Sequence, residues 1–464
     1  MRTSCANAGN FSKRPLMAKA CWRWLTQHDC ASIRLYQMNL ARISLLSGLS
    51  TGVRLLCGLL INKVVAITAG PAGFALISQL QNAFALSSTL SAGAMSNGIT
   101  IMTARHEGDE PQQLKFFATA FLAVMVTSLP LTLLGIIFSY DLASWLLKDA
   151  GYFYVIIAAA MTIPLFAFAS MLTAIVTGKQ DVISLVCINV ISSLLILVFT
   201  AVMAWFYDLP GALIATATYQ GTLFLVAICW LRSVPWFAFS NFTQSVAKPL
   251  AKDLFRYVIM AGVSGITINL AQFAVRSHII NNSGLEHAGI WDTVNRISIL
   301  NGSIIAAVLS VYLVPKLASS KNDFALFQTV AHAAKFIMPI FILICIILST
   351  FSETLVEILF SKKFTEAGRL LPYQLAGDVM RVFTWFYAHT LITRQKILHY
   401  GLIEVVSNIG FVVIAIFGAV IWGSFAPVIA HVVAFGLLAL YCFIRLMFMA
   451  RPTDDQRRDA VLTK

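Results

Sequence analysis

Long apolar stretches, each carrying only a few polar residues, recur along almost the whole chain. A helix needs roughly 20 mainly apolar residues to cross the hydrocarbon core of a bilayer. The pattern therefore predicts an all-α polytopic membrane protein with about twelve spans. From span 1 to span 12, the predicted extents are 44–68, 75–103, 114–138, 152–177, 182–206, 211–231, 254–280, 289–315, 326–350, 371–393, 399–422 and 425–448.

The composition and the charge fit a membrane protein better than a soluble one. Hydrophobic residues make up 59% of the chain and charged residues 11%, with a mean hydropathy of +0.81. Soluble domains contain about 25% charged residues. The formal net charge of +13 does not require a nucleic-acid partner, because Lys and Arg collect in the cytoplasmic loops of membrane proteins and set their orientation.

The distribution of Lys and Arg predicts which side each loop faces. If the segment before span 1 is cytoplasmic, the loops ending at Gly73, Gly211, Gly289 and Gly423 carry no basic residue. The basic residues of the external loops are then only Lys148, Lys362, Lys363 and Arg369. We therefore expect both termini to be cytoplasmic.

The connection at 232–253 divides the chain into two sets of six spans, the first half and the second half. An even number of spans gives both halves the same orientation, so an internal repeat would be parallel, about an axis along the membrane normal. We expect a first six-helix bundle at 38–240, a second at 241–450 and a cytoplasmic tail at 451–464.

Residues 1–37 differ from the rest of the chain. They are polar and basic, and they lack the apolar core of a signal peptide. One interpretation is a cytoplasmic extension with an interfacial helix around Trp22, Trp24 and Leu25 on anionic lipid. The interpretation that we favour is that translation begins at Met38 and that these residues are not part of the native start.

No cofactor is expected from the sequence. The eight cysteines show no paired spacing, so neither disulfides nor a metal site are expected. The chain also lacks the GxxxxGK[ST] motif that binds nucleotide phosphates, which argues against ATP as the direct source of energy.

Span 1 carries a polar stripe through its apolar sequence. Ser47, Thr51, Arg54, Gly58 and Asn62 are separated by steps of three or four residues, so they share one helix face. A guanidinium in the middle of a membrane helix is costly and usually faces a water-filled cavity or a partner. Arg54 and Asn62 are therefore candidate site residues.

Span 7 carries a similar polar sector, with Asn269, Gln272 and Arg276 within a narrow angular range. The following span 8 begins after a glycine-containing turn, as span 2 does. We therefore predict that spans 1 and 7 occupy equivalent places in the two halves, and that Arg54 and Arg276 are equivalent candidates.

The charges predicted to lie inside the membrane are mostly positive. An excess of guanidinium and ammonium groups suits an anion such as phosphate or pyrophosphate, because Arg makes forked, charge-assisted hydrogen bonds to phosphate oxygens. Arg54 and Arg276 have no acid on their own helix face and are the best candidates for anion contacts, with Arg296 third. The cations are Arg54, Lys63, Arg276, Arg296, Lys335 and Arg381, and the acids are Asp292, Asp378 and Glu404.

Several of these charges have a structural alternative. Lys63 lies near the external end of span 1, where its ammonium could reach the membrane interface. Charges three or four residues apart on one helix can neutralise each other. The pairs with this spacing are Asp292 with Arg296 and Asp378 with Arg381.

Glu404 of span 11 is expected to lie level with His389 of span 10. The two residues could form a proton relay or a satisfied buried contact, and we favour the buried contact. Coupling to protons or sodium through Asp292, Asp378 or Glu404 stays open at this point, as does transport driven only by substrate supply and removal.

Five runs of the sequence closely resemble Wzx-type flippases, which translocate undecaprenyl-pyrophosphate-linked oligosaccharides. The resemblance covers about 39–450 and is nearest to the O-antigen and lipid III branch. It implies the architecture of the multidrug/oligosaccharidyl-lipid/polysaccharide (MOP) superfamily, with two six-helix bundles around a central cavity. The runs are ITAGPAGFALISQLQN, GIWDTVNRIS, VYLVPKL, KFTEAGRLLPYQLAGDVMR and LIEVVSN.

The resemblance also bears on single residues. Basic positions of lipid III flippases match Arg54, Lys63, Arg276 and Arg381, and acidic positions match Asp378 and Glu404, whereas Asp292 and Arg296 depart from the pattern and residues 1–37 have no counterpart. It implies a location in the bacterial inner membrane, an undecaprenyl-pyrophosphate oligosaccharide as substrate, membrane lipids as surroundings, and a polysaccharide polymerase and chain-length regulator as partners.

Three other classes fit less well. A cation-coupled multidrug exporter of the same superfamily should carry a carboxylate instead of Arg54 in its first cavity. A major-facilitator porter should have a Gly-rich loop with Asp and Arg after span 2, where this chain reads ARHEGDEPQQ. A glycan polymerase or ligase should have a large external loop with catalytic residues, so we do not expect an enzyme.

Overall fold

The structure is a computed structural model that describes residues 40–234, 236–242, 248–318, 320, 322–394 and 396–449. The segments 1–37 and 451–464, for which an extension and a tail are expected, lie outside the described residues. The chain divides into two compact units, Met1–Gly52 and Val53–Lys464. The described part of the first unit is helical, and Thr51 donates a hydrogen bond from Oγ1 to the carbonyl of Ser47 there.

The described residues form helices joined by short turns, which confirms the all-α membrane fold. Six helical segments are long and apolar enough to cross a membrane, and three of them are 61, 50 and 52 residues long. The α-helices are Leu40–Ser88, Ala94–Arg105, Glu110–Ile137, Ser139–Leu147, Phe153–Gly178, Val182–Leu231, Lys248–Ser283, Leu285–Val308, Val314–Ala318, Asp323–Thr350, Ser352–Leu359, Glu366–Thr393, Ile397–Trp422 and Ala426–Met449.

Two of the longest helices are divided by a single residue with non-helical backbone angles. Gly70 has φ 64° and ψ −175°, and Asp208 has φ 47° and ψ −131°. When each bend is counted as a turn, every predicted span has a helix among the described residues, so the span numbers are kept. The turns at Gly70, Asp208, Gly284 and Gly423 lie on what we call the distal side, opposite the terminal side where spans 3 and 9 begin and the last described helix ends.

The distal turns have the same backbone geometry in both halves. Between spans 7 and 8, Gly284 has φ 91° and ψ 168°, close to the angles of Gly70 between spans 1 and 2. Between spans 11 and 12, Gly423 has φ 52° and ψ −129°, which almost repeats Asp208 between spans 5 and 6. Positive φ is strained for residues other than glycine, so Asp208 keeps this geometry at an energetic cost.

Other irregular elements also occur once in each half. A π-helical turn interrupts span 2 at Thr89–Gly93 and span 8 at Leu309–Leu313. A short helix follows span 3 at Ser139–Leu147 and span 9 at Ser352–Leu359. The described residues therefore show the same order of features twice.

On the terminal side, Asp and Asn side chains cap the helix starts. The side chain of Asp109 accepts a hydrogen bond from the backbone N–H of Gln112 before span 3, and Asn322 accepts one from Ala325 before span 9. Such caps satisfy N–H groups that have no partner in the first turn of a helix. They fix where these two spans begin.

Aromatic packing joins the two halves near the distal side. Phe74 of span 2 is fully buried, and its ring lies 5.6 Å from those of both Phe360 and Phe364, edge to face. Span 8 approaches span 2 so closely that a Cβ at Gly289 would lie 1.9 Å from the carbonyl oxygen of Pro71. This seam closes the distal side between spans 2 and 8.

Candidate functional site

A polar cavity of about 360 Å³ lies inside the first half, and Arg54 is part of its wall. Arg54 is exposed and is one of the residues that span 1 contributes. The lining of this cavity contains no carboxylate, and within the described residues no acid forms an ion pair with Arg54. The lining residues are Arg54, Cys57, Gly58, Ile61, Phe166, Asn189, Ser192, Ser193, Ile196, Tyr219, Gln220 and Leu223.

Arg276 does not share this environment, and the prediction that its charge is uncompensated is wrong. Its Nε donates to both carboxylate oxygens of Asp292 at 2.8 Å, and Nη2 makes a further bond to the same carboxylate. The two residues are 3% and 1% exposed. Asp292 is therefore neutralised by Arg276 of span 7, and not by Arg296 four residues later on its own helix, as the spacing suggested.

Arg296 instead joins the two halves. Its Nη1 donates to Oδ1 of Asn62 at 2.6 Å, and its Nη2 donates to Oγ of Ser78 at 3.0 Å and to Oε1 of Gln81. The guanidinium also lies 4.6 Å from the ring centroid of Phe74. Arg296 therefore contacts spans 1 and 2 through neutral groups. In this conformation Arg296 and Asn62 are hydrogen-bonded to each other.

Lys63 lies at the same seam and contacts protein rather than the first cavity. Its Nζ donates to the carbonyl oxygen of Ile358 at 2.6 Å. Ile358 is the penultimate residue of the short helix Ser352–Leu359, where carbonyl groups without helical partners favour a cation. Lys63 therefore links span 1 to the second half.

A second polar cavity, of about 330 Å³, lies inside the second half. It brings together four residues that the sequence singled out: Gln272, Arg381, His389 and Glu404. Gln272 also accepts a hydrogen bond through Oε1 from Asn295 at 2.9 Å. The two cavities share no lining residue.

Glu404 and His389 both line the second cavity, and among the described residues no hydrogen bond joins their side chains. The Nδ1 atom of His389 lies 2.7 Å from the carbonyl oxygen of Trp385 on its own helix. The guanidinium of Arg381 contacts two aromatic rings, 5.5 Å from the centroid of Trp385 and 5.5 Å from that of Phe435.

Asp378 is not the partner of Arg381 that the spacing suggested. Its Oδ1 accepts a hydrogen bond from Oγ of Ser298 at 2.7 Å and lies 3.1 Å from Nε2 of His431. All of these groups are buried, and within the part of the chain that the structure describes Oδ2 of Asp378 has no hydrogen-bond partner. Asp378 therefore connects spans 8, 10 and 12.

Asn269 lies apart from both polar cavities. Its Nδ2 donates to the carbonyl of Gly265 at 2.8 Å, and the residue lines a mainly apolar pocket of about 430 Å³ that also contains Asn82 and Trp145. The predicted polar residues of span 7 are thus distributed over three environments: the apolar pocket, the second cavity and the buried pair with Asp292.

Sequence reasoning missed several residues of the two cavities. Tyr219 and Gln220 of span 6 line the first cavity together with Arg54, and Trp385 and His431 line the second cavity. A histidine in the apolar span 12 and two adjacent polar residues in span 6 were the available signals in the sequence.

The sequence profile of a family described as "Polysaccharide biosynthesis protein" matches residues 83–369, more than half of the chain. The Lipid III flippase of Escherichia coli (strain K12) is 26% identical over 369 residues, which cover 79% of this chain and 88% of that protein. The match to this relative therefore extends over both halves.

Solved structures show the same fold. A multidrug resistance MATE family transporter of the MOP superfamily, in an inward-facing conformation, superimposes with a TM-score of 0.75 at 16% identity, over 85% of this chain and 95% of the other. The Lipid II flippase MurJ, in an inward closed conformation, superimposes with a TM-score of 0.66 at 15% identity, over 88% and 90%. The chain therefore has the fold of these transporters and belongs to the polysaccharide biosynthesis protein family.

Proposed function

We propose that this protein flips an undecaprenyl-pyrophosphate-linked oligosaccharide from the cytoplasmic to the periplasmic leaflet of the bacterial inner membrane, for assembly of O-antigen, enterobacterial common antigen or a related surface polysaccharide. The observation that carries the proposal is the acid-free cavity around Arg54. It occurs in a chain that aligns with 88% of a lipid III flippase.

The chemistry of the first cavity suits a pyrophosphate. Removing the head group from water is costly unless charged hydrogen-bond donors replace the lost hydration. The guanidinium of Arg54 supplies the charge and the fork, and the side chains of Asn189, Tyr219 and Gln220 supply neutral hydrogen-bonding groups around it. We assign pyrophosphate binding to Arg54 and withdraw it from Arg276, whose charge is already compensated by Asp292.

The scarcity of Lys and Arg in the distal loops supports an assignment of the two sides. The distal side is periplasmic and the terminal side cytoplasmic in this proposal, with both termini in the cytoplasm. The head group enters the first cavity from the cytoplasmic side while the isoprenoid tail stays in lipid. The halves at 38–240 and 241–450 then rearrange, the seam opens, and the head group leaves on the periplasmic side.

Substitution of Arg54 tests this function. In a strain that lacks its own flippase of this family, Arg54→Ala should abolish surface polysaccharide, because a hydrogen bond to a charged group contributes about 1.5–3 kcal/mol. Arg54→Lys should retain part of the activity if charge alone matters, and little if the forked geometry is needed. Surface glycan and the amount of protein in the membrane are measured together.

The matched control is Arg232→Ala, which removes an exposed arginine after span 6, outside the cavity lining. It should leave the glycan at the parental level. Normal glycan in the Arg54→Ala strain, at normal protein level, would contradict the assignment of pyrophosphate binding to Arg54.

A multidrug exporter is the second candidate, because MATE transporters share the fold. That likeness is at 16% identity and concerns architecture alone. Binding of organic cations needs negative charge, and among the described residues that line the first cavity the only charged one is Arg54. Efflux of a cationic dye that depends on this protein would favour the exporter.

A further inference from the structure

The second cavity differs in chemistry from the first. Its charged groups are of both signs, Arg381 and Glu404, whereas the first cavity has a cation only. It also has large aromatic walls, formed by Trp385, Phe411 and Phe435. A nearly neutral lining of this kind lacks the excess positive charge that favours phosphate binding.

From this lining we infer that the second cavity is a saccharide subsite that reads the first sugars of the lipid-linked glycan. The inference rests on the proposed function, and it divides the head group between the two cavities. The pyrophosphate contacts Arg54 in the first half, and the sugar rings contact span 10, span 11 and span 12 in the second half.

The aromatic rings supply flat surfaces for sugar rings. Trp385 is partly exposed, and it lies on the cavity wall beside Arg381. Span 8 packs closely against the indole of Trp385, because a Cβ at Gly302 would lie 3.3 Å from its Cη2. This contact restricts the position of the ring. A rigid aromatic face packs against the apolar C–H face of a sugar and costs little conformational entropy on binding.

Planar polar groups supply the hydrogen bonds that sugar hydroxyls need. Gln272, Glu404 and Asn408 line the same cavity from spans 7 and 11. The amide nitrogen of Asn408 donates to the carbonyl of Glu404 at 2.8 Å, which leaves its side-chain oxygen as an acceptor. Carboxylate and amide groups can each bond two neighbouring hydroxyls, so their arrangement distinguishes one sugar from another.

The size of the second cavity agrees with such a ligand. Its volume of about 330 Å³ is at the lower end of the range of small-molecule pockets, roughly 300–1,000 Å³. It therefore suits one or two sugar rings, and the remaining sugars would lie in the space between the halves.

The test compares two lipids that differ only in the sugar. The purified protein in nanodiscs is titrated with undecaprenyl pyrophosphate and with undecaprenyl-pyrophosphate-linked N-acetylglucosamine, and the ratio of the two Kd values gives the contribution of the sugar. We expect the sugar to raise affinity by about tenfold in the parent protein. Trp385→Ala and Glu404→Gln should bring the ratio close to one without weakening the binding of undecaprenyl pyrophosphate.

Three variants serve as controls. Arg54→Ala should raise the Kd of both lipids by the same factor. Trp385→Phe should keep most of the sugar's contribution to affinity because an aromatic face remains. Trp205→Ala, at a position that is 74% exposed, should change neither value.

The outcomes are distinguishable. A sugar contribution that survives both Trp385→Ala and Glu404→Gln would overturn the saccharide subsite while leaving the flippase intact. An equal loss for both lipids in these variants would likewise count against it, since it would place the pyrophosphate in the second cavity. If the parent protein binds neither lipid, the proposed function itself fails.

Discussion

The buried pair of Arg276 and Asp292 limits what each side chain can do. Taking either charge out of water alone costs several kcal/mol, and the pair offsets this through three hydrogen bonds. Among the described residues, the buried Nη1 of Arg276 has no hydrogen-bond partner. The guanidinium of Arg276 therefore has a structural role, although an arginine at this place in span 7 could otherwise bind a ligand.

We predict that either single substitution of this pair destabilises the protein. Arg276→Met or Asp292→Leu should each lower the free energy of unfolding by about 3–5 kcal/mol, because the remaining charge is left buried and alone. The double variant should recover most of this loss. Thermal unfolding in detergent, followed by loss of monodisperse protein, measures the effect.

Activity separates the structural role from a ligand role. If the double variant regains both stability and surface glycan, Arg276 does not bind the substrate. A stable double variant without glycan would return Arg276 to the binding site.

Among the elements, spans 1, 2 and 8 meet at Arg296. The guanidinium binds Asn62 before the distal turn at Gly70 and Ser78 after it. These two positions lie eight residues on either side of the glycine, and Arg276 and Asp292 lie eight residues on either side of Gly284. The equivalent of Arg276 in the first half is therefore Asn62, and not Arg54 as the polar stripes suggested.

We predict that Arg296→Ala weakens the seam and exposes it from the distal side. In a Ser78→Cys background, a membrane-impermeant maleimide added to intact cells should react faster when Arg296 is replaced, relative to the parent chain with its native cysteines. The physical reason is the loss of the hydrogen bonds from Arg296 to Asn62 and Gln81, which are still present in the Ser78→Cys background.

The matched control is Thr216→Cys, a position in span 6 that is 5% exposed and is not one of the hydrogen-bond partners of Arg296. Its labelling should stay slow in both backgrounds. Unchanged labelling of Ser78→Cys after Arg296→Ala would show that Arg296 does not hold the seam closed.

The sequence predicted the elements better than their partners. Spans follow from hydropathy, which depends only on local composition, so each predicted span has a helix among the described residues. The partner of Asp292 does not follow from local spacing. Arg276 and Arg296 are both within reach in sequence, and only the rotation and packing of spans 7 and 8 decide between them.

The cavities were predicted in part. Arg54 was identified from its position on a polar stripe, and Gln272, Arg381, His389 and Glu404 were identified as charged or polar residues within spans. That the last four share one cavity depends on how spans 7, 10 and 11 pack, which no pattern in one helix reveals. Charges within one helix were paired too readily, because spacing along a helix is the only distance that a sequence provides.

In the unit Val53–Lys464, the closed distal seam predicts that reagents reach the first cavity from the terminal side only. Asn189 lines the first cavity near Arg54. Asn189→Cys should therefore react with an impermeant maleimide in inside-out membrane vesicles and not in intact cells. Undecaprenyl-pyrophosphate-linked sugar should slow this reaction by occupying the cavity.

The cysteine control for sidedness is Lys148→Cys, placed in the loop region after span 3 on the distal side. It should react in intact cells and not in inside-out vesicles. If Asn189→Cys reacts only in intact cells, the assignment of the terminal side to the cytoplasm is reversed.

The pairing of span 7 with span 8 also has a consequence for biogenesis. An Arg or Asp at the centre of an isolated helix raises the free energy of membrane insertion by about 2.5–3.5 kcal/mol, and here each helix of the hairpin carries the charge that neutralises the other. During synthesis, the first of the two helices should therefore wait at the translocon until the second emerges, so that both enter the lipid together as a neutral unit.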